Sequence, residues 1–203
     1  MISVFVSYTE DFDEVAEVTL PPLRTYCQLH GYDLTIHRGG FGKRERMFCF
    51  QKTELALYLL YGCEYLFVLD IDTMVTNASI KLEGFVDSDH YLFACEDVNG
   101  LNAGAYIVRN CKQAHNMLQF VVAYGHSAPE GHGDQNGLNA WIKWNSEGYK
   151  AVPHPAFNSY LYEEYQIRET HENGQWAPGD FLLHLPGIKN ERRIELFKSI
   201  WSR

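Results

Sequence analysis

The sequence predicts an α/β domain, a sheet sandwiched by helices. Strand-like runs alternate with helical stretches along 203 residues. No internal period and no linker composition interrupts them. The run at residues 65–69 (Tyr-Leu-Phe-Val-Leu) is apolar at every position, as in a strand covered on both faces.

Taken in order, residues 2–7 are β-branched and apolar, so a strand opens the domain. Pro21-Pro22 suits the first turn of a helix that runs to His30 and stops at Gly31. Residues 33–37 read as a second strand, and Gly39-Gly40-Phe41-Gly42 as a flexible loop. A helix over 45–61 follows, with Leu55, Leu59 and Leu60 on one face and Gly62 ending it. Beyond the apolar strand, 91–95 and 105–108 are strand candidates, while 112–124 and 136–144 read as helices. A polar, irregular stretch covers 150–179; a strand at 181–183 and a helix at 191–201 complete the pattern.

Hydrophobic residues make up 46% and charged residues 21%, an ordinary globular composition with a core large enough to need no staples. The net charge of −9 argues against nucleic acid, whose phosphates call for a basic face. The densest basic cluster is Lys43, Arg44 and Arg46, which reads equally as a solvated loop or as a cradle for one diphosphate. An acidic protein that binds an anionic nucleotide needs a cation to offset repulsion. Five cysteines without C-x-x-C spacing argue against a zinc ribbon or a disulfide framework and suggest buried thiols in a reducing compartment. No cleavable leader and no apolar run of roughly 20 residues is present. A soluble, cytoplasmic chain, or a soluble module of a longer protein, is therefore expected.

Four features carry chemistry. Asp70-Ile71-Asp72 follows the most buried-looking strand, at the carboxyl end where open α/β sheets hold ligands. Two carboxylates spaced so can bind a hard divalent cation; alone, the pair reads more readily as a solvated turn. His184 ends another apolar run, in Phe-Leu-Leu-His-Leu-Pro-Gly-Ile-Lys. One imidazole with carboxylates suits Mn²⁺, Gly187 permits close backbone approach, and Lys189 offers a point charge to phosphate. Gly100-Leu101-Asn102-Ala103-Gly104 reads as a tight turn into a strand that leaves an amide for a ligand's hydroxyls. Asp134-Gln135 opens a helix, either as a plain N-cap or as a carboxylate and amide over a sugar ring.

The order of these features resembles the retaining GT-A glycosyltransferases. A strand ending in Asp-x-Asp, then Leu-Asn-Ala-Gly-x-x-x-x-Arg-Asn, then Asp-Gln, then Gly-Asp-Phe-x-x-His-x-x-Gly is similar to the galactosyl/xylosyltransferases acting on galactomannan, mannan and xyloglucan. Phe50-Gln51-Lys52 matches that family's aromatic–x–Lys helix motif. Glycogenin-like enzymes share the Asp-x-Asp, Asn-Ala-Gly, Asp-Gln and His-x-x-Gly-x-x-Lys pattern, although Lys189 comes one residue early. The membrane anchor and stem usual in the first family are absent from this sequence.

The resemblance implies a single GT-A (Rossmann-like) domain over residues 1–203, a mixed central sheet flanked by helices. It implies a UDP-sugar donor, a glycan or glycoconjugate acceptor and Mn²⁺ or Mg²⁺ held by Asp72 and His184. Asp70 binds the metal or the ribose, beside Ile71. Val6, Ser7, Tyr8 and Thr9 hold the base, with Tyr8 stacking on it. Arg46 and Lys52 meet phosphates or sugar, as do Gly187 and Lys189. Asn102, Ala103 and Gly104 contact sugar hydroxyls. Asp134 or Gln135 lies under the anomeric carbon. Tyr160, Tyr162, Tyr165 and Trp176 form an acceptor-side or lid region, or an ordered surface loop. The rivals are a metal-dependent phosphotransferase or hydrolase using His126 and His132 with the aspartates, and a non-catalytic nucleotide-sugar or glycan-binding module.

Overall fold

A computed structural model describes residues 1–39, 45–97, 99–127, 133–165 and 174–201, with backbone alone at 45–47 and 126. In chain order the elements are β1 (Ile2–Tyr8), α1 (Asp13–His30), β2 (Asp33–Arg38), α2 (Glu45–Leu60), β3 (Tyr65–Asp70) and β4 (Thr73–Val75). Then come β5 (Leu92–Asp97), β6 (Gly100–Arg109), α3 (Lys112–Ser127), α4 (Asp134–Ile142) and β7 (Tyr149–Ala151). Two one-turn helices, α5 (His154–Phe157) and α6 (Tyr162–Tyr165), precede β8 (Leu182–His184) and α7 (Asn190–Trp201).

Six strands form a mixed sheet in the order β2-β1-β3-β6-β5-β7. β1 runs parallel to β2 and β3, β6 is antiparallel to β3 and β5, and β7 is parallel to β5. This is the expected mixed sheet flanked by helices. Alternation along the central strands explains why β3 is apolar throughout. Phe67 and Leu69 face one core with Ala16, Leu20, Leu23 and Tyr26 of α1. Leu66 and Val68 face the other, with Phe50, Ala56 and Leu60 of α2 and Met117, Leu118 and Val121 of α3.

α1 differs from the expectation. It begins at Asp13 and carries Pro21 and Pro22 in its interior. An interior proline costs about 3 kcal/mol, but Val15, Ala16, Thr19, Leu20, Leu23, Tyr26 and Cys27 are buried along one continuous face that spans the prolines. Burial on both sides outweighs the two missing donors. The far end follows expectation: Gly31 has a φ of 71°, a left-handed stop.

The Gly-Leu-Asn-Ala-Gly segment is not a turn. It is the buried first half of β6, and the reversal lies just before it, where Asp97 pairs with Gly100. Gly100 has a φ of 91°, and a Cβ there would meet Asn139 Oδ1 at 2.4 Å. All five cysteines are free thiols. The expected loop at 39–42 lies outside the described residues beyond Gly39, as do 166–173 of the polar stretch.

A second, two-stranded sheet positions the site. β4 and β8 pair antiparallel, Thr73 opposite His184 and Met74 opposite Leu183. Met74, Leu183 and Leu185 pack with Leu196 and Phe197 of α7 in a third core cluster. Among the described residues no helix is long and apolar enough to cross a membrane.

Candidate active site

β3 ends at Asp70, and the chain turns through Ile71 and Asp72 into β4, with the Thr73 hydroxyl donating to the Asp70 carbonyl at 2.7 Å. Pairing with β8 brings two distant stretches together. The Leu185 amide donates to the Asp72 carbonyl at 3.0 Å, and His184 Nε2 lies 3.5 Å from Asp72 Oδ1. That separation is too long for a good hydrogen bond, and the buried Asp72 Oδ1 has no hydrogen-bond partner among the described residues. On the other side, Arg193 Nη2 lies 3.4 Å from Asp72 Oδ2. Arg193 is only 2% exposed; its Nε donates to the Leu185 carbonyl at 2.9 Å, and its guanidinium sits 5.3 Å over the Phe12 ring. Burial pushes the Asp72 carboxyl up, but His184 and Arg193 outweigh it and hold the group below the ordinary carboxylate value.

Asp70 turns the other way. Lys52 of α2, 2% exposed, places Nζ 2.7 Å from Asp70 Oδ1, 2.9 Å from Asp134 Oδ2 and 3.2 Å from the Ala103 carbonyl. The Lys52–Asp134 contact is ionic rather than a hydrogen bond: Asp134 Oδ2 has no hydrogen-bond partner among the described residues. Burial lowers the Lys52 ammonium, but Asp134 and Asp70 raise it further, well above the usual lysine value. Desolvation first, then Asp72 and Asp134, push Asp70 upward against Lys52. With 39% of its side chain open, water moderates that rise. Asp134 opens α4 after Gly133, whose φ is 60°. Lys52 therefore spends its charge on two carboxylates, not on an open anion site.

The Asn-Ala-Gly segment joins both neighbourhoods. Asn102, expected to offer a free amide, is 6% exposed and engaged at both ends: Oδ1 accepts from the Gly104 amide at 2.8 Å, and Nδ2 donates to Asp97 Oδ2 at 2.8 Å. The Ala103 amide donates to Gln135 Oε1 at 3.2 Å, tying β6 to α4. Gly104 lies under His184; a Cβ there would come within 2.3 Å of Cε1.

Three residues that local motifs gave no reason to select complete the surroundings: Asp97, Asn158 and Arg193. His184 Nδ1 is 2.6 Å from Asn158 Oδ1, Asn158 Nδ2 donates to the Tyr160 hydroxyl at 2.5 Å, and that hydroxyl donates to Asp97 Oδ2 at 3.3 Å. The Tyr160 ring stacks on His184 with centroids 5.9 Å apart. Burial, then Asp97, push the Tyr160 phenol up, so it stays protonated. The only advance signal was the aromatic count of 150–179, where Tyr160 and Tyr165 prove to pack inward; the Tyr165 hydroxyl donates to the Pro186 carbonyl at 3.0 Å.

The remaining expected residues are placed more loosely. Val6, Ser7 and Tyr8 are buried at the end of β1, Ser7 Oγ lying 3.3 Å from His37 Nδ1; Thr9 is half-buried and Ile71 belongs to the core. Gly187 is exposed with a φ of 69°, and Lys189 is exposed. Lys43, Arg44 and His132, and the side chains of Arg46 and His126, lie outside the described residues. Among the described residues no three His, Cys, Asp or Glu side chains converge as a metal cage.

Several solved structures share this architecture. A glycosyltransferase involved in glycosylation of the major capsid of PBCV-1 is 18% identical, with 98% of each chain covered and a TM-score of 0.76. GlyE of Streptococcus pneumoniae TIGR4 is 17% identical over all of this chain and 63% of its own length, with a TM-score of 0.63. The galactosyltransferase LgtC, solved with donor and acceptor sugar analogues, is 14% identical over 98% of this chain and 96% of its own, with a TM-score of 0.61. At these identities the likeness is one of fold, that of the GT-A glycosyltransferases. No curated protein matches the sequence. Residues 23–143, more than half of the chain, match the family model described as "Protein of unknown function, DUF273", and the chain belongs to that family.

Proposed function

We propose that this chain is a metal-dependent glycosyltransferase that moves a hexose from a UDP-sugar to a hydroxyl of a glycan acceptor with retention of configuration. One observation carries the reading: the buried Asp72 Oδ1, without a hydrogen-bond partner among the described residues, faces His184 Nε2 at 3.5 Å beyond the carboxyl end of β3. A carboxylate oxygen and an imidazole nitrogen so placed fit the donor preferences of Mn²⁺, with Mg²⁺ a harder substitute. The shared fold supports the reading, and LgtC, which shares it, was solved with donor and acceptor sugar analogues.

Asp72 and His184 are the residues that would hold the cation. When bound, it would neutralise the charge that develops on the departing diphosphate. Asp134, 2.9 Å from the Lys52 ammonium, offers its carboxylate to a developing oxocarbenium-like centre, as nucleophile or as electrostatic stabiliser. Gln135 holds its own position through Ala103 and fixes the first turn of α4 beside Asp134. Gly104 leaves space for the His184 ring, and Asn102 braces that backbone rather than reaching a sugar hydroxyl. Val6 to Thr9 and Ile71 border the base, Asp70 faces the ribose, and Gly187, Lys189 and Arg46 serve the diphosphate.

The test is turnover. A panel of UDP-hexoses incubated with Mn²⁺ and no acceptor shows slow release of UDP from one of them by the wild type, and none by Asp72→Ala. An Asp72→Ala protein of undiminished activity removes the metal assignment. Absence of release from every UDP-hexose, with and without glycan acceptors, removes the transferase.

A further inference from the structure

We infer that Asp97, Tyr160 and Asn158 form a one-way hydrogen-bond chain that fixes His184 with a proton on Nδ1, leaving Nε2 as the nitrogen that faces Asp72. They are positioning residues, and the inference rests on the proposed function only for what Nε2 is used for.

The direction of the chain follows from its far end. Asp97 Oδ1 accepts from the Asn99 amide at 2.7 Å, and Oδ2 accepts from Asn102 Nδ2 at 2.8 Å and from the Tyr160 hydroxyl at 3.3 Å. A carboxylate has no proton to give, so the phenol must donate to it. The phenol oxygen then accepts from Asn158 Nδ2 at 2.5 Å. That commits the amide nitrogen to tyrosine and leaves Asn158 Oδ1, at 2.6 Å, for His184 Nδ1–H. Reversing Asn158 would point its NH₂ at the imidazole and give its oxygen the tyrosine's proton. Asp97 Oδ2 would then face a phenol oxygen with no hydrogen between them.

Burial makes the choice strict. Asn158 is 1% exposed and His184 2%, so water cannot replace a lost partner cheaply. The backbone holds the same register: the His184 amide donates to the Ser159 carbonyl at 2.8 Å, and Ser159 bridges to Leu183 of β8. Which imidazole nitrogen carries the proton is set by the hydrogen bond made at the other one. With the opposite tautomer an N–H would occupy the space between Nε2 and Asp72 Oδ1, where a cation would otherwise sit. Because Asn102 shares Asp97, the same carboxylate braces the Asn-Ala-Gly backbone on one side and the imidazole on the other.

Ring-nitrogen NMR of the metal-free protein tests this, at a pH about two units above the ordinary imidazole value of ~6.5. The His184 signals are assigned by their loss in His184→Gln. The wild type shows His184 protonated on Nδ1. Asn158→Leu moves the proton to Nε2 and weakens Mn²⁺ binding about 10–100-fold, while Asn158→Asp, which still accepts from Nδ1–H, restores both. If Asn158→Leu does not fold, Tyr160→Phe reads the same shift in smaller amplitude. A wild-type ring protonated on Nε2, or an unchanged tautomer in Asn158→Leu or Tyr160→Phe, overturns the inference. The tautomer is read without metal or nucleotide. An Nδ1–H ring in a protein that binds no Mn²⁺ therefore leaves the inference standing and removes the proposed function instead.

Discussion

Asp70 and Asp72 are separated by one residue but belong to two different electrostatic regions. Asp70 joins a closed group: a buried lysine from α2 lies between it and Asp134 of α4, with contacts of 2.7 and 2.9 Å. Asp72 joins an open one, built by the short β4–β8 sheet and α7, where one oxygen is matched by Arg193 and the other faces His184 with no hydrogen bond among the described residues. The closed region pairs its charges internally, although Asp134 Oδ2, like Asp72 Oδ1, has no hydrogen-bond partner among the described residues. What sets the open region apart is that its unsatisfied oxygen faces an imidazole at 3.5 Å rather than an ammonium at 2.9 Å. The Asp-x-Asp spacing thus divides the pair: one carboxylate meets a buried lysine, the other a histidine and a buried arginine.

Substitutions on each side break or sharpen that contrast. The largest effect is expected for Lys52→Met, which strands Asp134 in the interior: stability falls by about 3–5 kcal/mol in denaturant unfolding. Unchanged stability with weakened nucleotide binding alone would mean that Lys52 is an anion ligand and the region is open. Arg193→Met follows, at about 3 kcal/mol, and most of that loss should be recovered in the Arg193→Met/Asp72→Asn double variant, since the two side chains are coupled. Gly104→Ala forces a Cβ against the His184 ring, with an expected cost of about 1–3 kcal/mol and a weaker Mn²⁺ affinity at the open region only. The smallest effect is a remote control at Asp87, whose carboxyl is lowered chiefly by the Lys150 hydrogen bond at 2.9 Å. Its contribution is present above the unfolded carboxylate value of about 3.9 and is lost as pH falls through the lowered native value. Asp87→Asn should flatten that acid limb, cost about 1 kcal/mol at neutral pH and leave Mn²⁺ binding untouched.

The open region was legible because its parts are local motifs at strand ends. Apolar runs mark β3 and β8, and polar residues at their carboxyl ends mark a ligand-facing edge; that Asp72 and His184 belong together came from the family resemblance, not from the local pattern. Burial could also be read for β3, whose two faces meet two different cores. What could not be read arises from tertiary context. Pro21 and Pro22 look like a helix start until the apolar face on both sides of them is packed. Gly100 to Gly104 looks like a turn, because Gly and Asn favour turns wherever a sheet does not claim them. Lys52 looks like a phosphate ligand, since nothing in its helix reveals two carboxylates arriving from β3 and α4. Asn158 sits in a polar, aperiodic stretch, and its partnership with His184 exists only through the bridge from Ser159 to β8. Arg193 reads as an ordinary charge on a closing helix, yet it is buried against Phe12 and Asp72.

Calorimetric titration of UDP, with Mn²⁺ present and then with the metal chelated, probes the open region most directly. The account predicts one metal per chain and UDP binding that disappears with the metal. Equal UDP affinity in chelator, or a metal-loaded Asp72→Ala protein that binds UDP as the wild type does, would contradict it.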